Sequence, residues 1–362
     1  MSAAAMAQTY DGTFRFFSSG RGLFGYSGGL YIDGISGNWT ATLSDSSWVK
    51  MKQNFSAPDY SGTVTGSGTI WLIFQCQTNT SYDQRQVTLS ITGATTKTYL
   101  LRQDATATVV NSASYTPAGK VARDSLISIF GAGISRLTTP AIAQTTQQIS
   151  ETLGNDIYVI FRDSSSPYSS NARMLYVSAN QINALASVAN HGSGDFYNES
   201  IDINNPLNKY SSAPVEIVDV LPAIFTANAY GSGPVAGHLL RVKTSGAQIY
   251  EPLVDSSQQL IPIAWQADDV ELYLVLYGTG WRHHANENAN PPDYSNFVFK
   301  LGGVTGRGVV EYGGPQGGFV GQDQLNVRLI RSQCVGLGEV GIDLIVDGIA
   351  DANPNPVTVK FQ

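Results

Sequence analysis

The chain has 362 residues, of which 42% are hydrophobic and only 14% charged, against about 25% charged in an average globular protein. Its net charge of −7 and the lack of any Lys/Arg cluster argue against a phosphate-binding groove, because nucleic-acid binders usually show a basic stripe. No apolar run reaches the ~18 residues that span a membrane, and the 37 glycines among many Ser, Thr, Asn and Gln residues fit a loop-rich, all-β, secreted or surface-exposed protein.

Residues 1–7, MSAAAMA, read as a leader remnant or an N-terminal arm: small residues precede Gln8, without the charged and apolar regions of a full secretory signal. The following AQTYDGTFRFF alternates and is apolar enough to complete a neighbour's sheet, which makes Tyr10, Phe14, Phe16 and Phe17 a candidate assembly arm. Its plain alternative is the first strand of its own domain. GYSGG, residues 25–29, fits a nucleophile elbow at Ser27, but the LYIDG that follows reads as a strand where the elbow needs a helix. No catalytic residue is assigned.

In NWTATLSDSSWVKM, alternation puts Trp39, Ala41 and Leu43 on the inner face. After the SDSS turn Val49 and Met51 form the apolar side, so Trp48 falls in phase with Lys50 and is expected outside. Trp48 joins Tyr26, Tyr31 and Tyr60 as candidate binding residues, since a ring face offers apolar area and quadrupole attraction at little entropic cost. WTATLSDSSW, SGTVTGSGTIWLIF, RQVTLSITG and YLLRQDA together resemble a BACON-type immunoglobulin-like module. The resemblance implies a β-sandwich over residues 8–105, lets Trp48 tuck in as a packing residue, and suggests contact with carbohydrate.

Short apolar runs such as SLISIFGAG, DIYVIFRD, VELYLVLYGTG and VGIDLIVDG, bounded by Gly, Asn and Asp, predict further sandwich strands. SANQINALAS is the best candidate for a short helical turn. LISIFGAGIS and LYLVLYGTGW both end an apolar strand in Gly-x-Gly, and YVSANQINALAS matches FVGQDQLNVRLI further on. Gly131 and Gly278 are 147 residues apart and Gln181 and Gln324 are 143 apart, so an internal repeat relates a second domain at 106–230 to a third at 231–362. The polar stretch 136–155 reads as an inserted loop in the second domain. The expected fold is therefore all-β, three tandem immunoglobulin-like sandwiches. VVNSASYTPAGKVARDSLISIFGAGI, LYVSANQINALAS, VDVLPAIFT, LYLVLYGTG, GGFVGQDQLNVRLI and NPVTVKFQ also resemble the β-rich C-terminal region of secreted acidobacterial proteins of the Solibacter type. This chain departs from that pattern in the polar insert and in WRHHANENANPPDYSN, residues 281–296, where partner contacts are expected.

Metal and catalytic chemistry find little support. His283 and His284 beside Glu287 are adjacent on an extended segment and point apart, so one ion rarely takes both, and a solvated loop is the plain reading. Asp202 with Asn204 and Asn205, and Asp351 with Asn353 and Asn355, lack the spaced carboxylates of a calcium loop and read as Asx turns. Asp268, Asp269 and Glu271 read as a polar turn before a strand. Cys76 and Cys334 fall in different domains, which disfavours a bridge. The sequons at Asn38, Asn54, Asn79 and Asn198 read as surface Asn. These observations predict a non-enzymatic extracellular or cell-surface protein, without cofactor or metal, that binds a glycan or surface protein through its N-terminal module and loops. The alternative is a self-assembling subunit of an extracellular filament or lattice whose partners are copies of itself.

Overall fold

Period-two alternation of apolar and polar residues builds almost every element of the chain. A computed structural model describes residues 12–16, 29–32, 37–53, 59–77, 79, 81, 83–116, 119–131, 134–135, 137–147, 149–154, 157–163, 169–187, 198–204, 209–212, 215–353 and 356–362. The fold is all-β, and a four-residue helix, Arg331–Cys334, is the one helix among the described residues. Two compact units emerge, residues 1–107 with 201–214, and residues 108–200 with 215–362.

The first unit holds a sandwich of eight strands: β1 (Gly12–Phe16), β2 (Gly29–Ile32), β3 (Asn38–Leu43), β4 (Val49–Gln53), β5 (Thr63–Ser67), β6 (Ile70–Cys76), β7 (Arg85–Thr92) and β8 (Thr96–Gln103). One sheet runs β1-β8-β7-β3-β5 and the other β2-β6-β4. Trp39, Ala41, Leu89, Ile91 and Leu101 of the first meet Met51, Ile70 and Leu72 of the second, all almost fully buried. Each such large apolar side chain contributes roughly 1.5–3 kcal/mol of burial. The outer face of the larger sheet carries Thr40, Thr42, Thr63, Thr65, Ser90 and Thr92 in register across three strands.

Strand β1 runs parallel to β8, with Phe14 opposite Leu101 and Phe16 opposite Gln103. Phe16 is 3% exposed and meets Phe74 edge-on at 5.7 Å, while Phe14 packs 5.6 Å from Tyr99. The expected arm is thus corrected at these two residues. Their rings fill the core of their own module, where burial outweighs anything an exposed strand would gain by waiting for a partner. Tyr10 and Phe17 lie outside the described residues.

In the second unit the repeat is visible in the pairing. Leu126–Phe130 pairs antiparallel with Gln181–Leu185, placing Phe130 opposite Gln181 and Ser128 opposite Asn183. Asp269–Thr279 pairs with Asp323–Leu329 in the same way, placing Tyr277 opposite Gln324 and Val275 opposite Asn326. On the far side each Gln-x-Asn strand meets a bulged partner. Its register shifts between Met174 and Tyr176 in one copy and between Val310 and Tyr312 in the other. Tyr176 then faces Asn183 as Tyr312 faces Asn326. The helical turn expected at SANQINALAS is therefore a strand, because Ile182 and Ala184 alternate inward with strands pairing on both sides.

The Gly-x-Gly ending has a steric cause. A Cβ on Gly278 would lie 2.3 Å from the Ala223 carbonyl oxygen and from the Trp281 ring, and Gly280 sits at φ +93° against Leu221. Beyond it, Thr279 Oγ1 accepts a hydrogen bond from Leu126 N at 2.8 Å and donates to the Gly321 carbonyl at 2.8 Å, tying the copies together. Both copies of the repeat lie in the unit formed by residues 108–200 and 215–362. The insert 136–155 is more than a solvated loop. Ala141–Ile142 pairs with Arg173–Val177, and Thr146 Oγ1 donates to the Gly318 carbonyl at 3.1 Å.

The C-terminal sandwich closes Leu274, Leu276, Leu325 and Val327 of one six-stranded sheet against Phe299, Leu301, Leu344, Val359 and Phe361 of the other.

Candidate ligand-binding cleft

Of the aromatic set expected in the N-terminal module, the structure describes the side chains of Trp48 and Tyr60. Trp48 is 5% exposed, which corrects its expected outward placement. It lies in the bend before β4, where strand alternation does not apply, and it joins the core instead. Tyr60 is half-buried beneath the Lys52 ammonium, 4.9 Å from its ring centroid. Tyr26 and the side chain of Tyr31 fall outside the described residues, as does Ser27.

A cleft of about 580 Å³ opens instead in the C-terminal sandwich, between the strands Phe297–Leu301 and Gly308–Pro315 and the end of the 281–296 loop. Tyr294, Phe297 and Phe299 supply its aromatic lining, and Asp293 and Glu311 stand on it as carboxylates. Tyr294 meets Phe297 edge-on at 5.9 Å and Tyr312 at 6.0 Å. Glycine makes room for these rings, since a Cβ on Gly313 would lie 2.6 Å from the Phe297 ring.

Both carboxylates are engaged. Asp293 accepts hydrogen bonds from Ser295 N and Asn286 Nδ2, each at 2.9 Å, and the Ser295 backbone N–H holds its carboxyl below the usual range. Glu311 is ion-paired with Arg328.

The loop wall is anchored at its base, which corrects the reading of His283, His284 and Glu287 as a solvated loop. His283 bridges two carboxylates, with Nε2 2.9 Å from Asp124 and Nδ1 2.9 Å from Glu287. The hydrogen bond to Asp124 raises its pKa against the opposing pull of burial. His284 points the other way, 4% exposed, edge-on to Phe297 at 4.9 Å, and burial lowers its pKa. Adjacent imidazoles thus serve opposite faces of a segment that is built of turns rather than the extended backbone expected.

A second cleft, of about 570 Å³, lies on the N-terminal module beside β3 and β5, lined by uncharged groups that include Asn38, Thr40, Gln53 and Thr65. Gly66 opens it toward the Trp39 ring, which a Cβ there would approach to 2.4 Å.

Other candidates resolve into structural roles. The Asp269 side chain is buried and binds Arg241 at 2.6 Å and Lys243 at 2.8 Å, so QADDVELY supplies the hub of an ion-pair network rather than only a polar turn. Asp351 accepts from Leu344 N and Asn353 N. Asn79, expected at the surface, is 1% exposed and donates to the Asp83 and Asp104 carbonyls. Both cysteines are free thiols, and burial pushes Cys76 up to about 12. Among the described residues no group of three or more His, Cys, Asp or Glu is placed to hold a metal ion, and no helix is long and apolar enough to cross a membrane.

One signal for the cleft was legible beforehand, the departure of 281–296 from the resembled pattern. Asp293 and Tyr294 lie in that segment, but Glu311 and the floor phenylalanines sit in ordinary strand sequence and carried no mark.

No family model and no curated protein matches the chain. Among solved structures it is similar to a Bacteroides ovatus GH5 xyloglucanase in complex with a XXXG heptasaccharide, at 18% identity and a TM-score of 0.21. That match covers 40% of this chain and 28% of the other, less than a third of the xyloglucanase's length. It is also similar to the Bacteroides ovatus mixed-linkage glucan utilization locus SGBP-B in complex with a mixed-linkage heptasaccharide, at 10% identity, 99% and 69% coverage and a TM-score of 0.30. A third match, a chain of the complex of Dpr2 Ig1-Ig2 with DIP-Theta Ig1-Ig3, has 8% identity, 98% and 96% coverage and a TM-score of 0.19.

Proposed function

We propose that the protein is a non-enzymatic β-sandwich binding protein of the cell surface or extracellular space, and that it holds a glycan in the cleft at Tyr294. The observation that carries this reading is the pairing of an aromatic lining with two fixed carboxylates, Asp293 and Glu311. Sugar rings present C–H faces that pack on aromatic rings and hydroxyls that donate to ionised carboxylates. A glycosidase needs one of its two acids kept protonated. Here Asp293 is held ionised by Ser295 and Glu311 is tied to Arg328, so the pair suits binding rather than proton transfer.

Affinity electrophoresis of the folded protein through soluble mixed-linkage β-glucan, arabinoxylan and galactomannan tests the reading. At least one polymer retards the wild type, Tyr294→Ala and Asp293→Ala weaken retardation about tenfold or more, the loss of one or two good contacts, and no reducing ends appear. A wild type that migrates freely in all three polymers overturns it.

A further inference from the structure

We propose that the two Gln-x-Asn constellations of the internal repeat are equivalent subsites for one extended, uncharged polysaccharide chain, which makes the second unit bivalent. The proposal rests on the carbohydrate reading but turns on different side chains, the amide pairs, of which the second adjoins the Tyr294 cleft through the Tyr294–Tyr312 contact.

Duplication explains shared apolar residues through the core each copy must fill, as with Ile182 and Leu325, both fully buried. It does not by itself explain shared polar residues on the outer face, where many soluble side chains are tolerated. Yet the outer faces match in detail. Gln181 Nε2 donates to Asn183 Oδ1 at 2.8 Å, and Gln324 Nε2 donates to Asn326 Oδ1 at 2.8 Å. In both copies a bulge sets a tyrosine opposite the Asn, Tyr176 in one and Tyr312 in the other. Bulges re-aim side chains and often mark functional edges.

All six side chains are half-buried rather than covered. The internal bond fixes each amide pair and retains Gln Oε1 as acceptor and Asn Nδ2 as donor, the complement of a sugar's vicinal hydroxyls. The pair carries no charge, and Arg328 beside the second copy is neutralised by Glu311. An acidic or basic polymer gains nothing there. Thr279 and the Asp124–His283 bond fix one copy to the other, so the two subsites are held in a constant relation, the condition under which one polymer chain gains from engaging both.

The test compares Gln181→Ala/Asn183→Ala, Gln324→Ala/Asn326→Ala and the combined variant in the same three gels, with titration calorimetry using hexasaccharides of each polymer. Either double variant weakens polymer binding about tenfold, to the same level, because either loss removes the avidity. Hexasaccharide affinity stays near wild type while one molecule fewer binds per chain, and unfolding temperatures stay within a few degrees. Polymer binding that Tyr294→Ala abolishes but the amide variants leave unchanged overturns the bivalent proposal alone. Loss of thermal stability with unchanged binding overturns it too and assigns the amides a structural role. Free migration of the wild type sinks this proposal together with the carbohydrate reading.

Discussion

The Arg85 guanidinium lies over the Trp48 ring, 4.8 Å from its centroid, and seals an indole that is 5% exposed. Part of the cation's attraction is retained because the ring is shielded from water. Trp48→Ala is expected to destabilise the N-terminal module by about 3–5 kcal/mol, the usual cost of removing a buried aromatic. Arg85→Ala should cost about 1 kcal/mol. Urea melts followed by circular dichroism decide the matter, and a near-neutral Trp48→Ala would return this residue to the surface.

His283 should make stability depend on pH. Its pKa in the folded chain is raised above the ordinary 6.5 by the hydrogen bond to Asp124, with Glu287 adding and burial and Arg123 opposing. A raised folded pKa gives stability that is fully present below 6.5 and lost as pH rises through the folded value. His283→Ala is expected to cost about 1–3 kcal/mol at pH 6 and clearly less at pH 9. A cost that does not shrink with rising pH refutes the charged bridge.

Asp323 titrates with the opposite consequence for a carboxylate. Its side chain is fully buried, and burial pushes its pKa from 3.8 up to about 6, although Arg282 and the Trp281 N–H oppose the shift. The native state then holds the proton more tightly than the unfolded chain. This contribution is present below pH 4 and is lost as pH rises through 6. Asn180 occupies the matching position in the first repeat, so Asp323→Asn should fold. Its stability relative to wild type should climb by up to roughly 3 kcal/mol between pH 4 and 7. Parallel pH–stability curves for the two proteins would contradict the assignment.

Gly278→Ala should be among the most damaging single-methyl changes in the second unit. The added carbon meets the Ala223 carbonyl and the Trp281 ring at 2.3 Å, and neither is the end of a flexible chain. A loss of about 2 kcal/mol or more in chemical denaturation is expected from such overpacking, whereas Gly303→Ala, in open space though at φ +74°, should cost about 1 kcal/mol.

Much of the fold was legible because burial acts on alternation. Trp39, Ala41 and Leu43 are inside as their parity demands, and the Gly-x-Gly and Gln-x-Asn pairs foretold two copies of one strand order. Errors arose where another force outweighed local pattern. Trp48 sits in a bend, outside the range of alternation, and Asn79 was drawn inward to satisfy two carbonyls. SANQINALAS carries good helix formers, yet pairing with two neighbouring strands settled it as a strand. The cleft itself was hidden because Tyr294 and Glu311 come from separate elements, and no local spacing records their approach.

The parallel pairing of β1 with β8 also constrains how the chain is made. Phe16 emerges from the ribosome early, but the strand that receives it is complete only when Gln103 has been added. A lone strand gains nothing from a partner not yet synthesised, and such distant pairings form slowly. At synthesis rates of about 5–20 residues per second, the backbone pairing of Phe14 and Phe16 waits several seconds. During that interval the β1 backbone has no β8 edge to pair with.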